Sequence, residues 1–180
     1  MIHDHSINDH GVIDGHKMLS VCSRRIADLY DLWDSKRAGR LLPSRCDFDI
    51  ADLKPWLGWI ALVDVLPNAL PDGHDFKYRL VGSKFVRFHC SDPTGKLVSE
   101  VPFAITPKVM IKNLNDICVS RTPRYRHDAI QCVDPKTYTP PRIYLPLSDN
   151  DESVTVIMIL GDNPLDADGN KVVTPHLRPF

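Results

Sequence analysis

Three side chains in this sequence have the chemistry to hold a small molecule: Tyr78, His89 and Tyr144. His89 follows the apolar run Phe85, Val86 and Phe88. An imidazole at the edge of an apolar pocket can ligate haem iron or hydrogen-bond a ligand. A lone histidine held by backbone groups is the plainer alternative. In Phe76-Lys77-Tyr78-Arg79-Leu80-Val81 the apolar residues Phe76, Tyr78 and Leu80 alternate with the cations Lys77 and Arg79. Alternation with period two places the three apolar side chains on one face of a strand. A tyrosine hydroxyl on that buried face needs a partner, which a ligand or a neighbouring strand can supply. Tyr144, in Arg142-Ile143-Tyr144-Leu145, is of the same kind, with its face left open. Arg79 is placed to pair with an acid such as Asp64 at the surface, a bridge worth little.

Other chemistry finds less support. His3, His5, His10 and His16 lie in a polar N-terminal tail with no rigid frame for a metal. Asp166-Ala167-Asp168-Gly169-Asn170 begins like a calcium loop, but the twelfth position is Leu177, which offers no oxygen. There is no phosphate-cradling glycine loop and no nucleophile elbow, so nothing argues for an enzyme. The five cysteines, Cys22, Cys46, Cys90, Cys118 and Cys132, are odd in number and well spread. They read as free, buried thiols rather than a disulfide framework.

Composition bounds the rest. In 180 residues with 43% apolar and 25% charged residues there is enough chain for one ordinary core. The net charge of -1 gives no basic footprint for nucleic acid or an anionic membrane. No apolar run approaches the ~20 residues that span a bilayer. The N-terminus lacks a basic region followed by an apolar stretch, and a cytoplasmic protein is the expectation.

The elements that position these side chains follow from the pattern. Residues 1–18 read as a flexible His-rich tail, 19–162 as one domain, and 163–180 as an irregular tail. Cys22, Ile26, Leu29, Tyr30 and Trp33 have helical spacing, and Gly39 ends that helix. Asp49 caps a short helical turn. Strands are expected over 57–65 and 76–81, joined by the turn residues Pro67 to Gly73. Only short pieces are expected between Ser83 and Ser99. A helix opens at Thr106-Pro107 and carries Met110, Ile111, Leu114, Ile117 and Cys118 on one face. Strands follow over 124–133, 142–147 and 154–160, with a hairpin turn at Asn150-Asp151. Strands before and after a helical middle indicate an α+β fold with an antiparallel sheet.

That order is also the order of a PAS domain. The wording of the chain strengthens the match. Leu32-Trp33-Asp34, Arg37-Ala38-Gly39-Arg40, Leu42-Pro43-Ser44-Arg45, Phe76 to Ser83 and Asp92-Pro93-Thr94-Gly95-Lys96 together resemble a bacterial family of stand-alone PAS-like proteins, over about residues 26–160. The resemblance implies a five-stranded antiparallel sheet with helices over one face, forming a cup, to which the helical spacing of Cys22 to Trp33 adds an extra N-terminal helix. It implies sensing or protein interaction, often with dimerisation. Tyr78, Leu80, Phe85, Phe88, His89, Met110, Leu114 and Tyr144 are the expected ligand-contacting residues. Ile26, Tyr30 and Trp33 are the expected interaction residues if the N-terminal helix joins a second copy or an unknown protein partner; the alternative is that this helix covers another face of the sheet. The cofactor is left unknown. PAS relatives that bind haem use a histidine from the helical middle, which keeps His89 in view. The light-sensing branch forms a flavin adduct at an Asn-Cys-Arg-Phe-Leu run, whereas this chain has His89-Cys90-Ser91-Asp92. A small-ligand sensor is the first reading, a ligand-free interaction module the second, and a small enzyme using His89 and Tyr78 the third.

Overall fold

The computed structural model describes residues 22–70, 73–89, 91–101, 107–126, 130–131, 137–138 and 141–162. Both expected tails lie outside these residues, as do Cys90, Cys132 and the side chains of Phe88 and His89.

Helix α1 spans Arg24–Lys36 and buries Ile26, Leu29 and Trp33, the stripe its helical spacing marks. Ser23 caps it, accepting from Ile26 N. Ala38 and Gly39 then take positive φ, 48° and 86°, which turns the chain out of the helix. Arg40 donates to the carbonyls of Lys36 and Arg37 and pairs with Asp47. Ser44 and Asp47 form a reciprocal cap on the next turn. Asp49 caps the short helix α2, Ile50–Leu53, as its position before an apolar residue suggests. Cys46 in this segment is exposed, against the expectation of burial, because the turn that carries it lies on the surface.

The sheet follows. Strands β1, Ile60–Leu70, and β2, Gly73–Val81, form a longer hairpin than the turn residues alone suggest. Helix α3, Ser83–His89, occupies a stretch expected to hold only short pieces, because seven residues are too few to show a helical period. Helix α4 is Pro107–Ser120. Strand β3 is Arg124–Arg126, shorter than expected. The residues after it contribute β4, Ile130–Gln131, to a separate two-stranded pair with β5, Thr137–Tyr138. Strands β6, Arg142–Leu147, and β7, Val156–Gly161, complete the main sheet. Its order is β2-β1-β7-β6-β3, every pairing antiparallel. This is the expected α+β class: five antiparallel strands with the helical segment between the second and third of them.

Every residue of β6 and β7 is buried, so both faces of the sheet's centre are covered. Helices α1 and α4 both pack on β6 and must take opposite faces. The outer face presents Ile143, Leu145 and Leu147 to α1, and the Trp33 indole donates to Pro146 O at 3.0 Å. Ile26 is 0% and Trp33 2% exposed within this single chain. They are therefore spent on its own core and do not form the partner surface expected of them. Tyr30, half-buried, stacks on Trp33 at 5.9 Å between centroids. No helix among the described residues is long and apolar enough to cross a membrane.

The loop that returns β6 to β7 is fastened to the α1–α2 connection. Asp149 accepts from Ser44 Oγ, from Arg45 N at 3.0 Å and from Thr155 Oγ1 at 3.2 Å. Partial burial opposes ionisation of Asp149, but these hydrogen bonds outweigh it and hold the carboxyl below its usual range. A lowered folded-state value means the stabilisation is complete above the ordinary carboxylate value of about 3.9. It is lost as the pH falls through the lowered value. Urea unfolding as a function of pH is expected to show Asp149→Asn less stable at neutral pH, with a shallower loss below about pH 4. An unchanged acid limb refutes this role.

Candidate functional site

Strand pairing assigns the faces, because residues opposed across an antiparallel pair share one side. The cup floor is built in rows. The first row runs from Gly161 to Arg142 to Arg126, with Trp59 one residue beyond the Ile60–Leu160 pair. The second runs Val81, Ala61, Ile159, Tyr144, Arg124. The third runs Tyr78, Val63, Ile157, Pro146. Tyr78 and Tyr144 thus face the same space, on opposite halves of the sheet.

Leu80 does not join them. The register slips by one residue between the Leu62–Leu80 and Val63–Tyr78 pairs, leaving Arg79 as the extra residue of a β-bulge. A one-residue slip turns every later side chain over. Leu80 therefore lies on the outer face, 41% exposed, and its assignment to the ligand set is corrected. Arg79 meets Asp64 at 2.7 Å, the pairing its sequence position suggests.

The helices roof the floor. Phe85 of α3 lies so close over Gly161 that a Cβ there would sit 2.8 Å from its ring. Phe85 also meets Trp59 edge to face at 5.8 Å, and Lys84 lies over the Trp59 ring. Helix α4 buries Leu114 and Ile117 completely, while Met110 is half-buried beside them. One flank of α4 holds β2 through Asn115, which accepts from His74 N at 3.1 Å. Its other flank meets β3. There Asp116 pairs with Arg124 at 3.3 Å, and Asn113 Oδ1 accepts from Arg126 Nη1 at 2.6 Å. One helix reaching both edge strands means the sheet curves around it.

Of the expected ligand residues, Tyr78, Phe85, Leu114 and Tyr144 are brought together on this cup, with Met110 at its margin. Phe88 and His89 belong to α3, but their side chains are outside the described residues. The Tyr78 phenol is pushed well above its usual range by burial, with neighbouring Tyr144 adding to the effect. At neutral pH it is a neutral hydrogen-bonding group rather than a base.

Residues not singled out from the sequence give the site its polarity. Arg142 is 4% exposed on the cup face, and its Nε reaches the Tyr144 hydroxyl at 3.3 Å. Trp59 Nε1, Asn113 Nδ2 and Arg124 Nε are buried with no hydrogen-bond partner. All three are donors. The signal for the arginines was present. Arg124 and Arg126 flank Tyr125, and Arg142 precedes Tyr144 by two, so each set shares a face by simple alternation. Which face was the cup was not visible.

No family model matches the chain, and no curated protein matches it. Among solved structures the chain is similar to a fungal LOV domain photoreceptor, described as part of a conserved pathway integrating blue light and oxidative stress. Identity is 14%, over 84% of this chain and 99% of that one, with a TM-score of 0.43. At that score the similarity assigns neither ligand nor activity.

Proposed function

We propose that this chain is a sensory domain of the PAS type, akin to the bacterial stand-alone PAS-like proteins, that binds a small ligand in the cup beneath α4. The observation that carries the reading is the set of unpartnered buried donors, Trp59 Nε1, Asn113 Nδ2 and Arg124 Nε, around a buried floor that also carries Arg142, Tyr144 and Tyr78. A buried donor without an acceptor costs about 1–3 kcal/mol. Natural interiors rarely leave several together, and a ligand that supplies acceptors recovers that cost.

Strand β6 gives the ligand a route outward. Its cup face carries Arg142 and Tyr144, its outer face packs on α1, and its Pro146 carbonyl receives the Trp33 indole proton. A ligand that favours one setting of β6 thereby favours one setting of α1, a population shift. The relay then runs to a second copy or another protein through surfaces of α1 other than Ile26 and Trp33.

The protein is to be purified under gentle conditions, denatured, and the released material analysed by mass spectrometry. A stoichiometric small molecule is the expected result. A stable, folded protein that releases nothing, and whose cup resonances are unmoved by added small molecules, overturns the reading and favours a ligand-free interaction module.

A further inference from the structure

A cavity of about 160 Å³ lies where three connections meet, and none of the cup residues lines it. The segment after α1 supplies Arg40, Leu41 and Leu42, the residue after α4 is Arg121, and the β6–β7 turn supplies Asp151 and Glu152. Drug-sized sites start at about 300 Å³, so an occupant here is small. The backbone is unusual at the same place. Of the four non-glycine residues with positive φ among the described residues, Ala38, Arg121 and Asp151 fall in these three connections, at 48°, 53° and 59°. Left-handed backbone is costly for a side chain and free for glycine. Arg121 follows α4 where glycine is the usual residue, its N–H bonding Ile117 O at 2.8 Å. The chain thus places a guanidinium at the cavity wall in a conformation that glycine takes without strain.

The charges around this cavity do not cancel one another. Arg121, Asp151 and Glu152 all line it, yet none of them forms an ion pair among the described residues. Arg40 is held in place: Nε donates to Arg37 O at 3.2 Å, and Nη2 to Lys36 O at 3.1 Å and to Asp47. Its Nη1 takes no bond among the described residues, which leaves a fixed donor at the cavity. A simple anion meets the arginines but is repelled by the two acids. A simple cation meets the acids and leaves Arg121 unanswered. A zwitterion answers both signs at once. Helices α1 and α4 both end just before these residues, and helix C-termini favour a positive group. Leu41, 57% exposed, and the buried Leu42 give the same cavity an apolar wall.

We propose that this cavity is a second ligand site and takes a small zwitterion, a free α-amino acid with an apolar side chain. Its carboxylate meets Arg121 and Arg40, its ammonium meets Asp151 and Glu152, and its side chain lies against Leu41 and Leu42. The site is separate from the cup and does not rest on the cup's being a ligand site. An occupant here bridges the end of α1 to the β6–β7 turn, beside the Asp149 fastening that already joins those segments.

The test uses the full chain, labelled with ¹⁵N, and three probes of one shape: L-leucine, 4-methylpentanoate, which lacks the ammonium, and 3-methylbutylamine, which lacks the carboxylate. Leucine is expected to shift the backbone amides of Leu41, Arg121, Asp151 and Glu152 saturably, with a Kd of about 1 mM or tighter. Each half-ligand is expected to bind about tenfold more weakly or worse. Arg121→Gly removes the guanidinium and relieves the backbone, so it is expected to melt no lower than the parent while losing about tenfold or more in leucine affinity. Glu152→Gln keeps the shape, and is expected to weaken leucine while strengthening 4-methylpentanoate. If leucine and 4-methylpentanoate bind alike, the cavity is an anion site and the zwitterion assignment fails. If 3-methylbutylamine matches leucine, it is a cation site and the assignment fails likewise. Leucine that moves cup amides and leaves these loops unmoved defeats the second site while the cup reading stands. If no probe moves the loop amides, the proposal is overturned and the cup reading is untouched.

Discussion

Trp33→Ala is expected to lower the stability of the chain by about 3–5 kcal/mol, the usual cost of removing a fully buried large aromatic side chain. Three losses combine at this position. The indole is 2% exposed and fills the space between α1 and the outer face of β6. Its Nε1 proton satisfies Pro146 O at 3.0 Å, and deletion leaves that buried carbonyl without a donor. Its ring also carries Tyr30, stacked at 5.9 Å, and Arg37, whose guanidinium lies 5.7 Å from the ring centre. Natural domains have only about 5–15 kcal/mol in hand, so the variant sits near the edge of folding. Trp33→Phe separates the terms. It retains most of the packing and loses the hydrogen bond, and is expected to cost about 1–3 kcal/mol. Urea midpoints for the two variants give the comparison. A Trp33→Ala protein within about 1 kcal/mol of the parent means that α1 is not docked on the sheet, and the route from cup to helix goes with it.

The second large effect belongs to Gly82→Ala. Gly82 stands where β2 turns into α3, and its N–H bonds Ile60 O at 2.8 Å. A Cβ there would lie 2.5 Å from both Leu57 O and Gly58 O. Both are backbone atoms, so no side-chain rotation relieves the clash. The turn before β1 must move away from β2, and α3 with Phe85 must move with it. Overpacking of this kind costs about 3 kcal/mol, the upper end of its common range. Gly39→Ala is the control. Gly39 has φ of +86° and open space around it, so alanine there meets only backbone strain of about 1–2 kcal/mol. Thermal melts are expected to place Gly82→Ala well below Gly39→Ala. The reverse order excludes the close approach of the two segments as the reason for a glycine at position 82.

These two positions lie in the stretches that carry the family resemblance, and the structure gives those stretches physical work. Arg40 closes the end of α1 and holds Asp47. Ser44 caps a turn and ties it to Asp149. Asp92 accepts from Thr94 N at 2.9 Å, and Gly95 takes φ of +84°. The same turn then bonds the backbone of Tyr78, Gly95 N to Tyr78 O at 2.7 Å and Lys96 O from Tyr78 N at 3.0 Å. That covers the edge of β2, which would otherwise present unpaired backbone groups. The motif residues thus build the frame. The residues that give the cup its donors, Trp59, Asn113, Arg124 and Arg142, fall outside the quoted motifs.

Much of the architecture was legible along the chain because it depends on neighbours in sequence. The stripe of α1, the Asp49 cap, the Pro107 helix start, the span of β6 and the Asn150-Asp151 turn all follow from local periodicity and capping. Alternation also held the signal for which residues travel together, Arg124 with Arg126 and Arg142 with Tyr144, although none of these arginines stood out as a site residue in the sequence. Tertiary structure decided where those sets point. Leu80 left the cup because a bulge one residue earlier reversed its face, and nothing in Phe76 to Val81 marks a bulge. Trp33 went into the core rather than to a partner because the outer face of β6, Ile143, Leu145 and Leu147, is apolar and α1 is needed to cover it. Asn113 became a site residue only when α4 crossed the curved sheet and met Arg126. Periodicity acts over a few residues, whereas register, layering and the company of a buried polar group are set by segments far apart in the chain.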